Sequence, residues 1–232
     1  MANPKKQPPL NTPRGVAVFP SLNVPDTKFK PEGEYATRLA FEPGEESTQT
    51  LIAELERRRD IAWDEHIASL KDDAERKKFT KTYSKAPVFT EEVDKAGDET
   101  GRILINFKMK ASGVNKTTKK PWSQKPTIVD ARGKKMQNPP DIYGGSVLRI
   151  GFETTSGPVP SSKLFYLSCR LLAVKVLDLV TKGGYSADAL GLGDEEEGYE
   201  ADEAELSGSD NRGANTGSST STDAADEGEG DF

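Results

Sequence analysis

The sequence contains one cysteine, Cys169, and one histidine, His66. A lone thiol cannot close a disulfide within the chain. One thiolate and one imidazole cannot by themselves supply a Cys/His zinc site. Cys169 lies inside the apolar run "LFYLSCRLL", which suits a buried small hydrophobe. His66 follows Asp64 and Glu65 in a charged stretch, which suits a surface or boundary position rather than a general base. Long apolar segments are also missing. Nothing approaches the roughly 18 consecutive apolar residues that would span a bilayer, and the opening "MANPKKQPPL" has no apolar signal core. A cytosolic protein without membrane contact is expected. Hydrophobic residues make up 34% of the chain, short of the usual range of about 45–50% that includes glycine, and the 21 glycines do not close the gap. Part of the chain is therefore expected not to build a core. No G-x-x-x-x-G-K-[ST] phosphate loop is present, since "RGKKM" is too short. No set of side chains at catalytic spacing appears. These absences argue against an enzyme and call for no cofactor.

What the chain does have is charge, unevenly placed. From Ser186 to Phe232 there are 15 acidic residues and one basic residue, Arg212, a charge of -14. The other 185 residues carry 31 basic and 23 acidic side chains, a charge of +8, so the overall -6 conceals a basic body joined to an acidic tail. Inside the body the excess is concentrated again. Between residues 102 and 149 lie 11 basic side chains against Asp130 and Asp141.

Periodicity divides the body into elements. Residues 1–13 are polar and rich in proline, as a flexible arm would be. A short strand is expected near Val16–Phe19. Tyr35, Thr37, Leu39 and Phe41 alternate with more polar neighbours, the pattern of a strand with one apolar face, and Pro43-Gly44 closes it. The period then changes. Leu51, Ile52, Leu55, Ala62, Trp63, Ile67 and Leu70 form one helical stripe, expected to be a single long helix capped by Ser47 or Thr48, with Trp63 on its buried side. Residues 80–101 read as a connection. Ile103, Ile105, Phe107 and Met109 alternate with Arg102, Leu104, Asn106, Lys108 and Lys110. "PTIVDA", "SVLRIGFETT" and "SSKLFYLSCRLLAVKVLDLV" read as further strands, the last deeply buried with room for a bulge. Several short strands and one long helix predict a mainly β fold of the α+β kind. The leading form is a five-stranded OB-fold barrel over residues 14–185, followed by a disordered acidic tail over 186–232.

The basic side chains of the middle segment are Arg102, Lys108, Lys110, Lys116, Lys119, Lys120, Lys125, Arg132, Lys134, Lys135 and Arg149. Cations held along neighbouring strands and loops neutralise phosphates and release condensed counterions, which gives affinity without reading sequence. Two aromatics interrupt the series, Trp122 in "TKKPWSQK" and Tyr143 in "PPDIYGG". Either ring could stack an unpaired base, a contact of about 1–3 kcal/mol, or anchor its own loop on the core. Single-stranded DNA is the partner this pattern favours. A strand-annealing factor, or an acidic-tailed chaperone or interaction module, would have similar charge. The tail closes with "GEGDF", carboxylates followed by one apolar ring at Phe232. That chemistry imitates a piece of single strand, so the tail is expected to compete for the basic groove and to be offered to partner proteins when DNA displaces it.

At this point the sequence resembles the single-stranded DNA-binding proteins of T7-like phages. The likeness rests on "PEGEYATRLAFEP" ahead of the long helix, on "ILINFKMKAS" and "KTTKK", on "TIVDARGKKM" followed by "YGGSVLRIGF", and on the acidic, Phe-ended finish. The resemblance implies an OB-fold that binds single strands during phage DNA replication, recombination and repair and promotes annealing, in the cytoplasm of the infected bacterium. It also implies a tail, with Asp231 and Phe232 at its tip, that contacts the replicative DNA polymerase and the helicase-primase and mediates a homodimer. Arg132, Gly133, Lys134, Lys135 and Phe232 are the positions carried over by motif. The amino-terminal arm and the Ser/Thr/Gly-rich middle of the tail depart from the family pattern.

Overall fold

Alternation in the sequence becomes paired strands around a shared apolar interior. The computed structural model describes residues 7–28 and 30–181, all within one compact unit. The elements are β1 (Leu10–Asn11), β2 (Gly15–Asp26), β3 (Glu34–Phe41), α1 (Glu46–Ser69), α2 (Asp73–Thr82), β4 (Ser84–Lys85), β5 (Thr90–Val93), β6 (Glu99–Lys110), β7 (Ser112–Val114), β8 (Pro121–Ser123), β9 (Thr127–Val129), β10 (Val147–Val159) and β11 (Leu164–Asp178). The described part is therefore mainly β with two helices. The tail expected to be disordered over 186–232 lies outside the described residues.

Five strands pair in a circuit that returns to its start. β2 pairs antiparallel with β3, β3 antiparallel with β6, β6 parallel with β11, β11 antiparallel with β10, and β10 antiparallel with β2. Two links are short. β6 and β11 are in register only at Cys169↔Phe107 and Arg170↔Lys108, and β10 meets β2 only at Val147↔Val16 and Leu148↔Gly15. β4 and β9 add to β11, β5 adds to β6, and β7 with β8 forms a separate small hairpin. The bulge expected in the last strand is present: the β10–β11 register shifts between Gly151 and Phe152 and again between Val147 and Leu148. One extra residue bends a strand and increases its twist, which a circuit of long strands requires.

The inward residues of the alternating segments build the main core. Leu39, Phe41, Ile105, Phe107, Leu148, Ile150, Phe152, Leu171 and Val174 are all buried in one cluster. Phe107 and Phe152 meet edge to face at 5.1 Å, a geometry worth about 0.5–1.5 kcal/mol beyond the area it buries.

The helical stripe behaves as expected through Leu51, Leu55 and Trp63, but it is not one helix. At Leu70 the backbone turns extended (φ -71°, ψ 144°), and Asp72 begins α2 by accepting the Glu75 N–H at 2.8 Å. Glu75 reaches back to the Lys71 N–H at 3.1 Å. This is close to a capping box, and local capping outweighs continued helical periodicity. Neither Ser47 nor Thr48 caps α1; the flanking residue is Glu45, and Thr48 is buried inside the first turn. α1 lies against β10 and β11. Trp63, Phe79 of α2 and Phe165 of β11 form a second small core, with Trp63 and Phe165 edge to face at 5.4 Å.

The stripe also buries one cation. Arg58 is 2% exposed and donates to Glu54 Oε1 at 2.7 Å and to the Pro8 carbonyl at 2.9 Å. That second bond corrects the reading of a flexible arm over 1–13 for residues 7–13, while residues 1–6 lie outside the described residues. β1 pairs with β10, and buried Thr12 exchanges bonds with Ile150, its N–H donating to the Ile150 carbonyl and its Oγ1 accepting the Ile150 N–H, both at 2.9 Å. A proline-rich composition reports the lack of local structure; it carries no record of a distant strand edge that can pair. The connection expected over 80–101 likewise contributes β4 and β5, because sheet edges are available to it.

Candidate nucleic-acid interface

The site lies along the link between β6 and β11. A groove of about 670 Å³ is lined there by residues of both strands, by Pro87–Thr90, and by Trp122 and Gln124. On β6, alternation that buries Ile105, Phe107 and Met109 leaves Asn106, Lys108 and Lys110 exposed, so the two lysines belong to the outer face. Lys108 Nζ is 3.7 Å from Glu34 Oε1. Across the groove, Arg170 of β11 donates to Glu153 Oε1 through Nη1 and to Gln124 Oε1 through Nη2 at 2.9 Å. Three cations and one carboxylate thus line a concave, partly apolar channel that also includes Tyr166 and Phe89.

Trp122 is brought to this groove by the β7–β8 hairpin. It was expected in a loop; it occupies a short strand directly opposite Gly113. The indole lies so close to Gly113 that a Cβ there would stand 2.7 Å from Trp122 Cζ2. Glycine therefore leaves room for the ring against its partner strand, with 38% of the residue still exposed. Asn115 holds the hairpin turn. Its Oδ1 accepts the N–H groups of Thr117 and Thr118, both at 2.9 Å, and its own N–H donates to the Lys120 carbonyl at 2.9 Å. Gln124 clips the hairpin base to β6: its backbone N–H reaches the Ala111 carbonyl and its Nε2 the Lys110 carbonyl, both at 2.8 Å. The same side chain orients Arg170, so one glutamine links hairpin, β6 and β11.

The structure divides the residues singled out from sequence. Lys108, Lys110 and Trp122 line the groove. Lys116, Lys119 and Lys120 are exposed on the hairpin that carries Trp122. Lys125 and Lys135 line a second depression of about 410 Å³. Arg132 and Lys134 sit on a tight turn in which both their N–H groups donate to Asp130 Oδ1, at 3.0 and 2.7 Å, and Gly133 takes the left-handed φ of +84°. Arg102 is ion-paired with Glu92 at 2.7 Å, and Arg149 Nε donates to the Thr12 carbonyl at 3.0 Å; neither lines the groove. Tyr143 is half-buried beside Val180, to whose carbonyl its N–H donates at 3.3 Å, and is also away from it. Asp231 and Phe232 lie outside the described residues.

Sequence reasoning passed over Arg170, Tyr166, Gln124 and Gly113. Arg170 had a legible signal, a guanidinium inside an otherwise apolar strand, yet it falls beyond the basic window ending at Arg149. Gly113 and Gln124 had none, since their roles exist only once the hairpin is folded. Cys169 lines the groove but is 8% exposed, and burial pushes its thiol up to about 12, so it is an inert part of the wall. Burial also lowers the His66 pKa, where the ring packs 4.7 Å from Phe79.

Among the described residues, a mainly β body with a cationic groove and one half-exposed indole has the make-up of a binding protein. Residues 15–157 match the model of the family described as "Single-stranded DNA-binding protein, Bacteriophage T7", and the chain belongs to that family. The expectation of a binding protein rather than an enzyme agrees with this membership. The chain is 31% identical over 107 residues to the single-stranded DNA-binding protein of Enterobacteria phage T3, an alignment spanning 46% of each chain, so it matches about half the length of that relative. Its fold is similar to that of gp2.5, the single-stranded DNA-binding protein of bacteriophage T7, with a TM-score of 0.61 and 24% identity over 84% of this chain and 99% of the other. A single-stranded DNA-binding protein from bacteriophage Enc34, solved in complex with single-stranded DNA, shares the fold at a TM-score of 0.51 and 13% identity, over 76% of this chain and 89% of that one.

Proposed function

We propose that this protein binds single-stranded DNA without sequence preference in the groove between β6 and β11, and serves phage DNA replication, recombination and repair in the cytoplasm of the infected bacterium. The observation that carries the reading is the meeting of Lys108, Lys110 and Arg170 with a half-exposed indole in one channel, on a chain of this family. Phosphates meet the cations and a base stacks on Trp122, a combination that tolerates any sequence because every base has a π-face. We read the pairing circuit β2–β3–β6–β11–β10 as the five-stranded barrel of an OB-fold; the parallel β6–β11 link supports that reading. The acidic tail competes with DNA for the groove and, when displaced, recruits the replicative polymerase and the helicase-primase, with Asp231 and Phe232 as its contact tip; the -14 charge of Ser186–Phe232 supports this.

Titration of intrinsic fluorescence with poly(dT) tests the reading. Binding quenches Trp122, Trp122→Ala abolishes the quench, and log affinity falls linearly with log salt, with Lys108→Ala lowering the slope by about 0.7. Affinity that is unchanged between low and high salt, or an unquenched indole at saturation, refutes it. Competition by a duplex hairpin as effective as that by unpaired DNA removes the preference for single strands.

A further inference from the structure

The second depression adjoins the groove along the chain itself. Trp122 and Gln124 line the groove, while Lys125, Pro126 and Thr127 line the depression. Consecutive Cα atoms are only about 3.8 Å apart, so the linings of the two concavities meet along the chain at Gln124–Lys125, taken here as the ridge between them. Gln124 is fixed on one side by its bonds to β6 and Arg170, and β9 is fixed on the other by pairing with β11. The ridge is thus part of the rigid body.

The depression is built to hold its lysines in place. Lys135 is bridged to Val129 of β9, and the N–H of Met136 donates to the Ile128 carbonyl at 2.9 Å. The opposite wall is pinned by Asn23, whose Nδ2 donates to the carbonyls of Pro139 and Pro140, both at 2.8 Å. Neither Lys125 nor Lys135 has an ion-pair partner among the described residues, and Asp141 is the one carboxylate in the lining. By contrast Lys108 shares Glu34, and Arg170 shares Glu153. Two ammonium groups on ordered backbone, without ion-pair partners among the described residues and the nearer of them three residues beyond Trp122, are available to an anionic ligand.

We propose that the depression is a second station on the DNA path: a strand leaving the groove crosses the Gln124–Lys125 ridge and sets backbone phosphates on Lys125 and Lys135. This rests on the groove being the primary site and adds a prediction the groove alone does not make. Affinity becomes length-dependent, with short strands filling the groove only and longer ones reaching both stations.

The test uses the full chain and its Lys125→Ala/Lys135→Ala variant with two oligothymidylates, about 5 and about 20 nucleotides long, chosen to bracket the span of one such domain. The variant is expected to bind the short strand as the wild type does, with the same quench of Trp122. It should bind the long strand about tenfold more weakly at low salt, the scale of two solvent-exposed ion pairs. Its salt slope should fall by about 1.4 on the long strand and not at all on the short one. Equal losses on both lengths, or no loss on the long strand, overturn the second station while leaving the groove standing. Failure of either strand to quench the wild-type indole overturns both.

Discussion

Trp122 contributes to a surface only because Gly113 contributes nothing above its backbone. The indole covers the place where any other residue would carry a Cβ, 2.7 Å from Cζ2. Gly113 does not need a left-handed backbone, since it is absent from the positive-φ positions, so alanine fits its φ/ψ and acts on the ring alone. Gly113→Ala is therefore expected to lift the indole from the hairpin without unfolding the body. Trp63, the other tryptophan, is buried, so increased acrylamide quenching of the protein's fluorescence will report Trp122. On the proposed function, poly(dT) affinity should fall by up to about tenfold, within the range of one base–aromatic contact. Unchanged quenching and affinity would show that the ring does not depend on the glycine. Arg170 offers the complementary lesson: oriented by Glu153 and Gln124, it is presented to the groove in one geometry rather than as a mobile charge.

Within α1, polar chemistry organises what the apolar stripe alone would leave loose. Glu54 accepts from Arg57 at 2.7 and 2.8 Å and from buried Arg58 at 2.7 Å. The hydrogen bond from Arg57, reinforced by that from Arg58, holds the Glu54 carboxyl at about 2, against an ordinary 4.5, despite an opposing effect of burial. A carboxyl whose folded pKa lies below its unfolded value stabilises the fold fully above the unfolded pKa and loses that contribution as pH falls through the folded one. Stability attributable to Glu54 should thus be complete above pH 4.5 and decline toward pH 2. Denaturant midpoints measured across this window by circular dichroism are expected to fall less steeply in Glu54→Gln than in the wild type. Parallel slopes would detach Glu54 from acid lability. Because Arg58 also holds Pro8, the same carboxylate supports the strap formed by Gln7–Thr12.

For the whole molecule the governing quantity is the division of charge, +8 on residues 1–185 against -14 on Ser186–Phe232. On the proposed competition between tail and DNA, removing Ser186–Phe232 raises affinity for single strands. The gain is largest at low ionic strength and shrinks as the Debye length falls to about 8 Å at physiological salt. Filter binding of the truncated and full chains across a salt series checks this. Equal affinities at low salt would leave the tail without a part in DNA binding.

The sequence by itself determined every feature that depends on a repeating period or a summed charge. Alternation placed Tyr35, Thr37, Leu39 and Phe41 inward on β3 and separated the buried from the cationic face of β6; helical spacing put Trp63 in a core; counting residues exposed the acidic tail. The break at Leu70 was legible too, in Asp72 and Glu75 three positions apart, but it is a local capping signal set inside a stripe that continues past it. Tertiary structure alone decided which cations share a surface. Lys110 and Arg170 are 60 positions apart, and only the short parallel link of β6 to β11, with Gln124 bonding to both, brings them to one groove. The same folding sends Arg102 to Glu92 and Arg149 to Thr12. Period and charge are sums over neighbours in the chain. A groove is a matter of which distant neighbours meet, and that is fixed by strand pairing and packing, which no local window records.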